Sequence, residues 1–287
     1  MKNIAAIVTE YRWLSHAQVI CDRFLMGYAI GGEHHAPGAR IVSMYVDQFP
    51  ENDLSRARAA EHGFTIYPTI AGAVRHGSHE LSVDGVLVIG EHGDYPSNEL
   101  GQTLYPRHEF FRQVTQVFKR DSRVAPVFVD KHLSYEYDKA AWMVDDSKRG
   151  GYPLLAGSSI PVAFRLPPLE LPLGCEVEDA LAVGYGGVDS YDFHALEGLQ
   201  CMVERRKGGE TGVRAVQYFQ GDAVWAAGDD GVWSWDLLSA AMSRSDSPQG
   251  NAVDDGRPED FVGLRHIRDH VANPGAYVIE YSDGTRA

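Results

Sequence analysis

The sequences VDGVLVIGEHGDYP (residues 83–96) and PVFVDKHLS (residues 126–134) decide the fold. Each contains a short apolar run that stops abruptly at charged residues. Runs of this length are typical of strands buried on both faces, as in a parallel sheet. Open α/β sheets bind their ligands just beyond the carboxyl ends of such strands. We therefore expect the residues that follow the two runs to form a candidate site at one end of the sheet; they are Glu91, His92, Asp94, Lys131 and His132.

Strand-like and helix-like patterns alternate over the first half of the chain. Short apolar runs predict strands at residues 3–8, 40–46, 66–67, 86–89, 127–129 and 154–155. Helical periodicity predicts helices at residues 15–26, 54–62, 70–75, 109–119 and 135–149. Ser15 is a suitable cap for the first helix, and Gly63 for the end of the second. The alternation predicts an α/β fold, a Rossmann-like doubly wound parallel sheet, in residues 1–160.

The sequence changes in character after about residue 160. Residues 167–176, PPLELPLGCE, are rich in proline and predict an extended segment. Alternating apolar residues predict strands at 176–184, 213–219 and 276–281, and helical patterns predict helices at 194–205, 237–242 and 261–270. Residues 161–287 are therefore predicted to form an α+β domain with an open, mostly antiparallel sheet.

The composition excludes several classes of partner. The chain has 287 residues, 44% hydrophobic and 23% charged, as in soluble globular proteins. A formal net charge of −14 gives no electrostatic basis for binding nucleic acid or anionic membranes. Three cysteines without metal-type spacing favour buried thiols in a reducing compartment. With no run of signal-peptide or transmembrane type, the sequence predicts a cytoplasmic protein.

Three segments carry a resemblance to a known family. They are NDLSRARAAEHGFTIYPTIAGAV (residues 52–74), VDKHLS (residues 129–134) and YDFHALEGL (residues 191–199). They resemble, in that order, the second-helix segment, the lysine motif and the histidine motif of the glucose–fructose oxidoreductase and inositol dehydrogenase (Gfo/Idh/MocA) family. The resemblance implies an N-terminal Rossmann domain, a C-terminal α+β domain and an oxidoreductase acting on a small carbohydrate- or polyol-like substrate. It also implies a homo-oligomer built through the second domain.

The resemblance assigns roles to individual residues. Lys131 falls on the family's catalytic lysine, beside the substrate, and His132 replaces the proline that follows it. His194 falls on the catalytic histidine, with Glu197 near the acidic residue after it and Asp189 or Ser190 at the upstream acidic position. Candidate catalytic residues are therefore Lys131 and His194. Candidate substrate-binding residues are Asp94, Tyr95, His132, Asp189 and Glu197.

The dinucleotide loop departs from the family pattern. The family binds NAD(P) through GxGxxG, but here the three glycine positions are occupied by Val8, Glu10 and Trp13. Glycines there allow a tight turn, close approach of the pyrophosphate and close packing of helix on strand. Glu10 would place a negative charge near the pyrophosphate, and Trp13 would displace the helix or fill the site. We expect no standard NAD(P) binding, although Asp47 stands where a ribose-binding acid would be. The residues that would face a cofactor by position are Glu10, Arg12, Trp13, Asp47, Glu91 and His92.

Two other hypotheses remain open from the sequence. The first is a cofactor-independent or metal-dependent lyase or hydrolase on the same fold. Its divalent ion would be held by Glu91, His92, Asp94 and His132, with His16 as a further ligand. The second is a non-catalytic binding or assembly protein that keeps only the fold.

The last residues, AYVIEYSDGTRA (residues 276–287), predict a strand followed by a DG turn. Such a turn normally leads to a partner strand, and the sequence shows none. We therefore expect a shortened or truncated second domain whose last strand has a bare edge.

Overall fold

The computed structural model describes residues 1–157, 160–243 and 263–287, with no side chains described for residues 263–266. The chain divides into two compact units, Met1–Ser159 and Ile160–Ala287.

The first unit is built on a six-stranded sheet whose ladders are all parallel. Its strands are β1 (Lys2–Val8), β4 (Ala39–Val46), β5 (Thr65–Ile66), β6 (Gly85–Ile89), β7 (Val127–Asp130) and β8 (Leu154–Gly157), and β2 (Tyr28–Ile30) pairs with β3 (Glu33–His35) in a separate hairpin. The order in the sheet is β5-β4-β1-β6-β7-β8. The winding direction therefore reverses between β1 and β6, which is where doubly wound sheets bind ligands. The predicted Rossmann-like fold is confirmed.

The central strands are apolar because both faces of the sheet are covered. Alternate residues of β1 and β6 enter two different cores: Ile7 and Val88 join one, and Ala6 and Leu87 join the other. Five helices cover the faces: α1 (His16–Met26), α2 (Ser55–His62), α3 (Ile70–Arg75), α4 (Arg107–Asp121) and α5 (Tyr137–Gly150). As predicted, Ser15 caps α1 by accepting from the amide of Gln18 at 3.1 Å, and Gly63 ends α2 in a left-handed conformation.

In the second unit, the helices and strands of the described residues differ in part from those that the sequence predicts. Its helices are α6 (Phe193–Val203), α7 (Asp222–Asp229), α8 (Trp235–Met242) and α9 (Gly263–His270), and its sheet consists of β9 (Val213–Gln220) and β10 (Gly275–Tyr281). The two strands are antiparallel, as predicted. Residues 261 and 262 of the predicted last helix lie outside the described residues.

One predicted strand of this unit is absent from the described residues, and one helix was not predicted. Residues 176–184 form no strand, because alternation stabilises a strand only where one face is buried, and Glu178 and Val183 are exposed here. The sequence analysis also missed α7, whose buried Val224, Trp225 and Ala227 lie on one side of a helix that includes a glycine.

The end of the chain also differs from expectation. After the turn, the backbone of Thr285 accepts a hydrogen bond from Tyr281 at 2.9 Å, and Ile279 and Ala287 exchange two backbone bonds at 2.8 and 3.0 Å. The last residues therefore return along β10, and the prediction that nothing pairs after the turn is wrong. The prediction missed this return because three residues are too few to show a strand pattern.

The cysteines are all free, but only Cys21 is buried, and Cys175 and Cys201 are half-buried. In the part of the chain that the structure describes, no helix has the length and apolar character needed to cross a membrane.

Candidate functional site

The carboxyl ends of β1, β6 and β7 lie side by side at the switch point of the sheet. The loops that leave these strands carry most of the residues singled out from the sequence. The hydroxyl of Thr9, after β1, donates to the backbone carbonyl of Glu91, after β6, at 2.7 Å. We call the side chains on these three loops, together with Arg107 at the start of α4, the carboxyl-end cluster.

The backbone at this end of the sheet is unusual. Among the described residues, five that are not glycine have positive φ, and His76 and Ser122 are ordinary helix caps. The other three are Leu14 (φ 60°), His92 (φ 68°) and Lys131 (φ 49°), one on each of the three loops. Such conformations cost on the order of 1 kcal/mol or more each and persist where the surroundings impose them, typically at functional sites.

Three buried charges form the centre of the carboxyl-end cluster. Glu91 makes ion pairs with Arg107 and, at 3.0 Å, with Lys131. Arg107 is 1% exposed and Lys131 is 4% exposed. Gly90 allows this arrangement, because a Cβ there would lie 2.6 Å from Cγ of Arg107. Two cations thus share one carboxylate in a position almost closed to water.

Burial and the two neighbouring cations have opposite effects on the pKa of Glu91. Burial alone would raise the pKa of its carboxyl group, but Arg107 and Lys131 lower it below its usual value. Glu91 is therefore charged at neutral pH and holds both cations in place.

Two histidines lie beside these charges. Nδ1 of His16 lies 2.6 Å from Oδ2 of Asp130, the last residue of β7. The ring of His92 meets that of His16 edge-on, with centroids 5.2 Å apart. Burial, together with His16, lowers the pKa of His92 from 6.5 to about 4, so His92 is neutral at physiological pH. Its Nε2 is buried and has no hydrogen-bond partner among the described residues.

The remaining sequence candidates of this unit border the cluster. Asp47 accepts hydrogen bonds from Tyr45 at 2.6 Å and Tyr95 at 2.7 Å. Burial and these bonds raise the pKa of both phenols, so they remain donors. Gln48 holds the backbone of Asp94 by two hydrogen bonds, of 2.8 and 3.0 Å, and leaves Asp94 exposed.

The loop that would hold a dinucleotide does not fit one. Val8 is a buried strand residue, and Glu10 is buried and paired with Arg12 at 2.5 Å. Three backbone amides of this loop and of the first turn of α1 are used within the chain: those of Arg12 and Gln18 donate to the Ser15 hydroxyl, and that of Ser15 donates to the carbonyl of Arg12. Trp13 is 63% exposed, and the expectation that it displaces the helix or fills the site stays a prediction. The charge of Arg12 offsets that of Glu10, and the occupied amides are therefore the stronger obstacle.

The structure does not bring the proposed metal ligands together. Over the described residues, no group of three or more His, Cys, Asp or Glu side chains is arranged to hold a metal ion. Glu91 is occupied by Arg107 and Lys131, and His132 lies with Nδ1 3.5 Å from a guanidinium nitrogen of Arg107. A cation next to a ring nitrogen opposes metal binding there, so the structure gives the metal hypothesis no support.

The remaining sequence candidates belong to the second unit. His194 and Glu197 are three residues apart on α6, and Asp189 lies in the single π-helical turn before it. Residues three apart on a helix share a face. Their relation to Lys131 stays a prediction of the family resemblance.

Two residues of the carboxyl-end cluster were missed from the sequence. Arg107 lies at the start of α4, sixteen residues after Glu91, and the sequence around it has no pattern that indicates a contact with Glu91. Asp130 follows an apolar strand directly, so its position was a usable signal, but its partner is His16, 114 residues away.

Comparison with known proteins identifies the fold. No family model matches the sequence, and a search of curated proteins finds no match. Among solved structures, a presumed dehydrogenase from Bordetella bronchiseptica is 16% identical with a TM-score of 0.51, over 100% of this chain and 59% of that one. UDP-N-acetylglucosamine 3-dehydrogenase GnnA from Acidithiobacillus ferrooxidans is 10% identical with a TM-score of 0.50, over 100% and 68%. A Gfo/Idh/MocA family oxidoreductase from Vibrio cholerae matches 56% of this chain and 40% of its own, with 15% identity and a TM-score of 0.37.

The chain therefore has the two-domain fold of these dehydrogenases, and the resemblance predicted from the sequence is confirmed at the level of the fold. It spans about three fifths of the length of the first neighbour, 59%.

Replacing Glu91 tests the central ion pairs. In Glu91→Gln, Arg107 and Lys131 remain buried without a counter-charge, so we expect the free energy of unfolding to fall by about 3–5 kcal/mol. Urea denaturation measures it. The matched control is Glu80→Gln, because Glu80 pairs with Arg123 where both side chains are more than half exposed, 59% and 55%. That change should cost less than about 1 kcal/mol. Equal losses in the two variants would contradict a buried role for Glu91.

Replacing His92 tests its neutral state. Its pKa is about 4 in the folded chain against 6.5 in the reference state, so the unfolded chain binds more protons between these values. His92 therefore costs stability as pH falls from about 6.5 to 4. We expect the melting temperature of His92→Asn to fall less steeply over this range than that of the unchanged protein, and asparagine tolerates the left-handed backbone. Parallel curves for the two proteins would mean that His92 titrates normally.

Proposed function

We propose that this protein is a divergent member of the Gfo/Idh/MocA family. In this proposal it acts as an enzyme on a small, polyhydroxylated, carbohydrate-like substrate without using a nicotinamide dinucleotide. Its chemistry is proton transfer, of the lyase or hydrolase type, at the carboxyl end of the parallel sheet. The proposal depends on one observation. Lys131 is buried, has a left-handed backbone conformation and forms an ion pair with Glu91 at the switch point of the sheet.

The position of Lys131 supports a role with substrate. A lysine at the end of a strand is normally solvated, whereas this one is 4% exposed and follows β7 directly. Burying an ammonium group is costly unless it is paired, and here the pairing is supplied by a carboxylate that already holds Arg107. The sequence resemblance independently gives this lysine a place beside the substrate. Lys131 would hold a substrate oxygen and stabilise the negative charge that develops on it.

The surroundings suit a polyhydroxylated ligand. Exposed or half-buried polar groups border the buried charges, among them the guanidinium of Arg12, the carboxyl of Asp94 and the phenol of Tyr95. Such a mixture of donors, acceptors and an aromatic face recognises sugars by hydrogen bonding and stacking. A neighbour of the same fold, GnnA, is by its name a dehydrogenase of the sugar nucleotide UDP-N-acetylglucosamine, which supports the same substrate class. A substrate role for His194, Asp189 and Glu197 stays a prediction of the family resemblance.

The hydride step of the family has no support in the dinucleotide loop. The amides of Arg12, Ser15 and Gln18 are already hydrogen-bonded, and a buried Glu10 stands between them and the strand. Proton transfer needs no redox partner, which is why we favour lyase or hydrolase chemistry over dehydrogenation. The homo-oligomer stays a prediction.

The cofactor part of the proposal is tested by calorimetric titration of the purified protein. We expect NADH and NADPH to bind no more tightly than high micromolar, because the pyrophosphate would have to displace hydrogen bonds that the loop makes to itself. A low-micromolar dissociation constant, or a dinucleotide retained through purification, would contradict this and restore the dehydrogenase hypothesis.

The catalytic part is tested by proton NMR in D₂O. A panel of small sugars, sugar acids and their oxo derivatives is incubated with the protein without added dinucleotide, and deuterium exchange or product formation is followed. For a member that reacts, Lys131→Met should lower the rate by about 10²–10⁴-fold. The control is Lys119→Met, because Lys119 is also paired with a carboxylate but is 60% exposed on α4. Equal rates in both variants, or a reaction that requires added NAD⁺, would overturn the proposal.

A further inference from the structure

We propose that His16, oriented by Asp130, is the group that takes and returns the proton at this site. This inference rests on the proposed function, since it names the second catalytic residue beside Lys131. It assigns to Asp130 the role of a positioning residue that acts through His16.

The geometry of the pair is that of an oriented base. Nδ1 of His16 lies 2.6 Å from Oδ2 of Asp130, and Asp130 is buried. A carboxylate can only accept, so Nδ1 carries the proton of this hydrogen bond and the lone pair of the neutral ring is on Nε2. The same arrangement, a buried carboxylate on one ring nitrogen and reaction at the other, fixes the tautomer of catalytic histidines in general.

The side chain of His16 is partly open to solvent. The side chain of His16 is 32% exposed, in contrast to Asp130, which is 8% exposed. His16 is also the first residue of α1, so its backbone position is fixed by the cap at Ser15. The pair joins the start of α1 to the end of β7, close to the switch point of the sheet.

The neighbours of His16 fit this role. His92 packs edge-on against its ring and is neutral, because burial lowers the pKa of His92 to about 4. It therefore adds no second positive charge when His16 is protonated. The charged groups in the same environment come from each adjoining element; they are Glu10, Arg12, Glu91, Arg107, Asp130 and Lys131.

The step is a proton transfer without oxidation or reduction. Nε2 of His16 accepts the proton of a substrate O–H or acidic C–H bond, which breaks as the N–H bond forms. Asp130 balances the positive charge that this leaves on the ring. Lys131 holds the oxygen on which the negative charge develops, and Nε2 then returns the proton to the leaving oxygen or to the product.

A purely structural role for the pair of His16 and Asp130 predicts different effects of mutation. In that case, the pair only ties the start of α1 to β7, so that removing it would lower stability but leave turnover by the folded fraction unchanged. The test therefore uses two variants of similar size, His16→Gln and Asp130→Asn, in the full chain. The control is His79→Gln, because His79 is exposed.

The first measurement needs no substrate. Long-range nitrogen–proton NMR of the ¹⁵N-labelled protein reports which ring nitrogen is protonated, at about pH 9, well above the ordinary histidine pKa of about 6.5. We expect His16 to be protonated at Nδ1 in the unchanged protein and to lose this preference in Asp130→Asn. A tautomer that is the same in both proteins would overturn the inference.

The second measurement uses the panel member found by deuterium exchange. His16→Gln should lower kcat by about 10²–10⁴-fold. Asp130→Asn should lower kcat by at least about tenfold with KM nearly unchanged, as for other carboxylates that orient a catalytic histidine. His79→Gln should have no effect.

The outcomes separate the two proposals. If Lys131→Met loses turnover while His16→Gln keeps it, the inference about His16 is wrong and the proposed function stands. If no panel member reacts, the proposed function fails, and the tautomer measurement alone decides whether Asp130 orients His16.

Discussion

The ion pairs of Glu91 with Arg107 and Lys131 are the constraint on which the rest of the site depends. A single carboxylate, placed by the end of β6, holds one cation from the start of α4 and another from the loop after β7. Because both cations are almost fully buried, removing Glu91 would leave two buried charges without a counter-charge. The positions of three elements are therefore coupled at the point where the sheet reverses its winding. This coupling also explains how Lys131 is kept in a left-handed conformation that an isolated chain would avoid.

At the same end of the sheet, the loop after β1 uses its backbone amides differently from the loop of a dinucleotide-binding sheet. In a dinucleotide-binding sheet, the loop after the first strand leaves its amides free for phosphate. Here the side chain of Ser15 satisfies the amides of Arg12 and Gln18, and Glu10 and Arg12 neutralise each other beside them. Helix α1 still begins where it would in a dinucleotide-binding protein, but its first residue, His16, now contacts a side chain of β7. The loop and the first turn of α1 thus place the side chain of His16 next to Asp130.

The sequence was sufficient for the fold and for part of the site. The apolar runs at β6 and β7 predicted a parallel sheet because strands covered on both faces have no polar side, and charged residues directly after each run placed Glu91 and Lys131 at one end of it. Arg107 and the partnership of His16 with Asp130 could not be predicted, since these contacts join residues far apart in the chain and depend on side-chain direction. The structure of the second unit was harder still to predict from the sequence. Residues 176–184 alternate like a strand but have no buried face to fill, and the return of the chain after β10 involves only three residues.

The histidines illustrate why position within the cluster matters more than residue type. His92 and His132 looked like metal ligands in the sequence because nitrogen and oxygen donors alternate there. In the structure the ring of His132 lies beside the guanidinium of Arg107, and Nε2 of His92 is closed off from solvent. His16 differs from both, because one of its ring nitrogens contacts the buried carboxylate of Asp130 while its side chain is 32% exposed. The neutral state of His92 also matters for His16, because the two rings are in contact. Since His92 carries no positive charge, it does not repel the positive charge that His16 gains on protonation, and Asp130 is left to balance that charge.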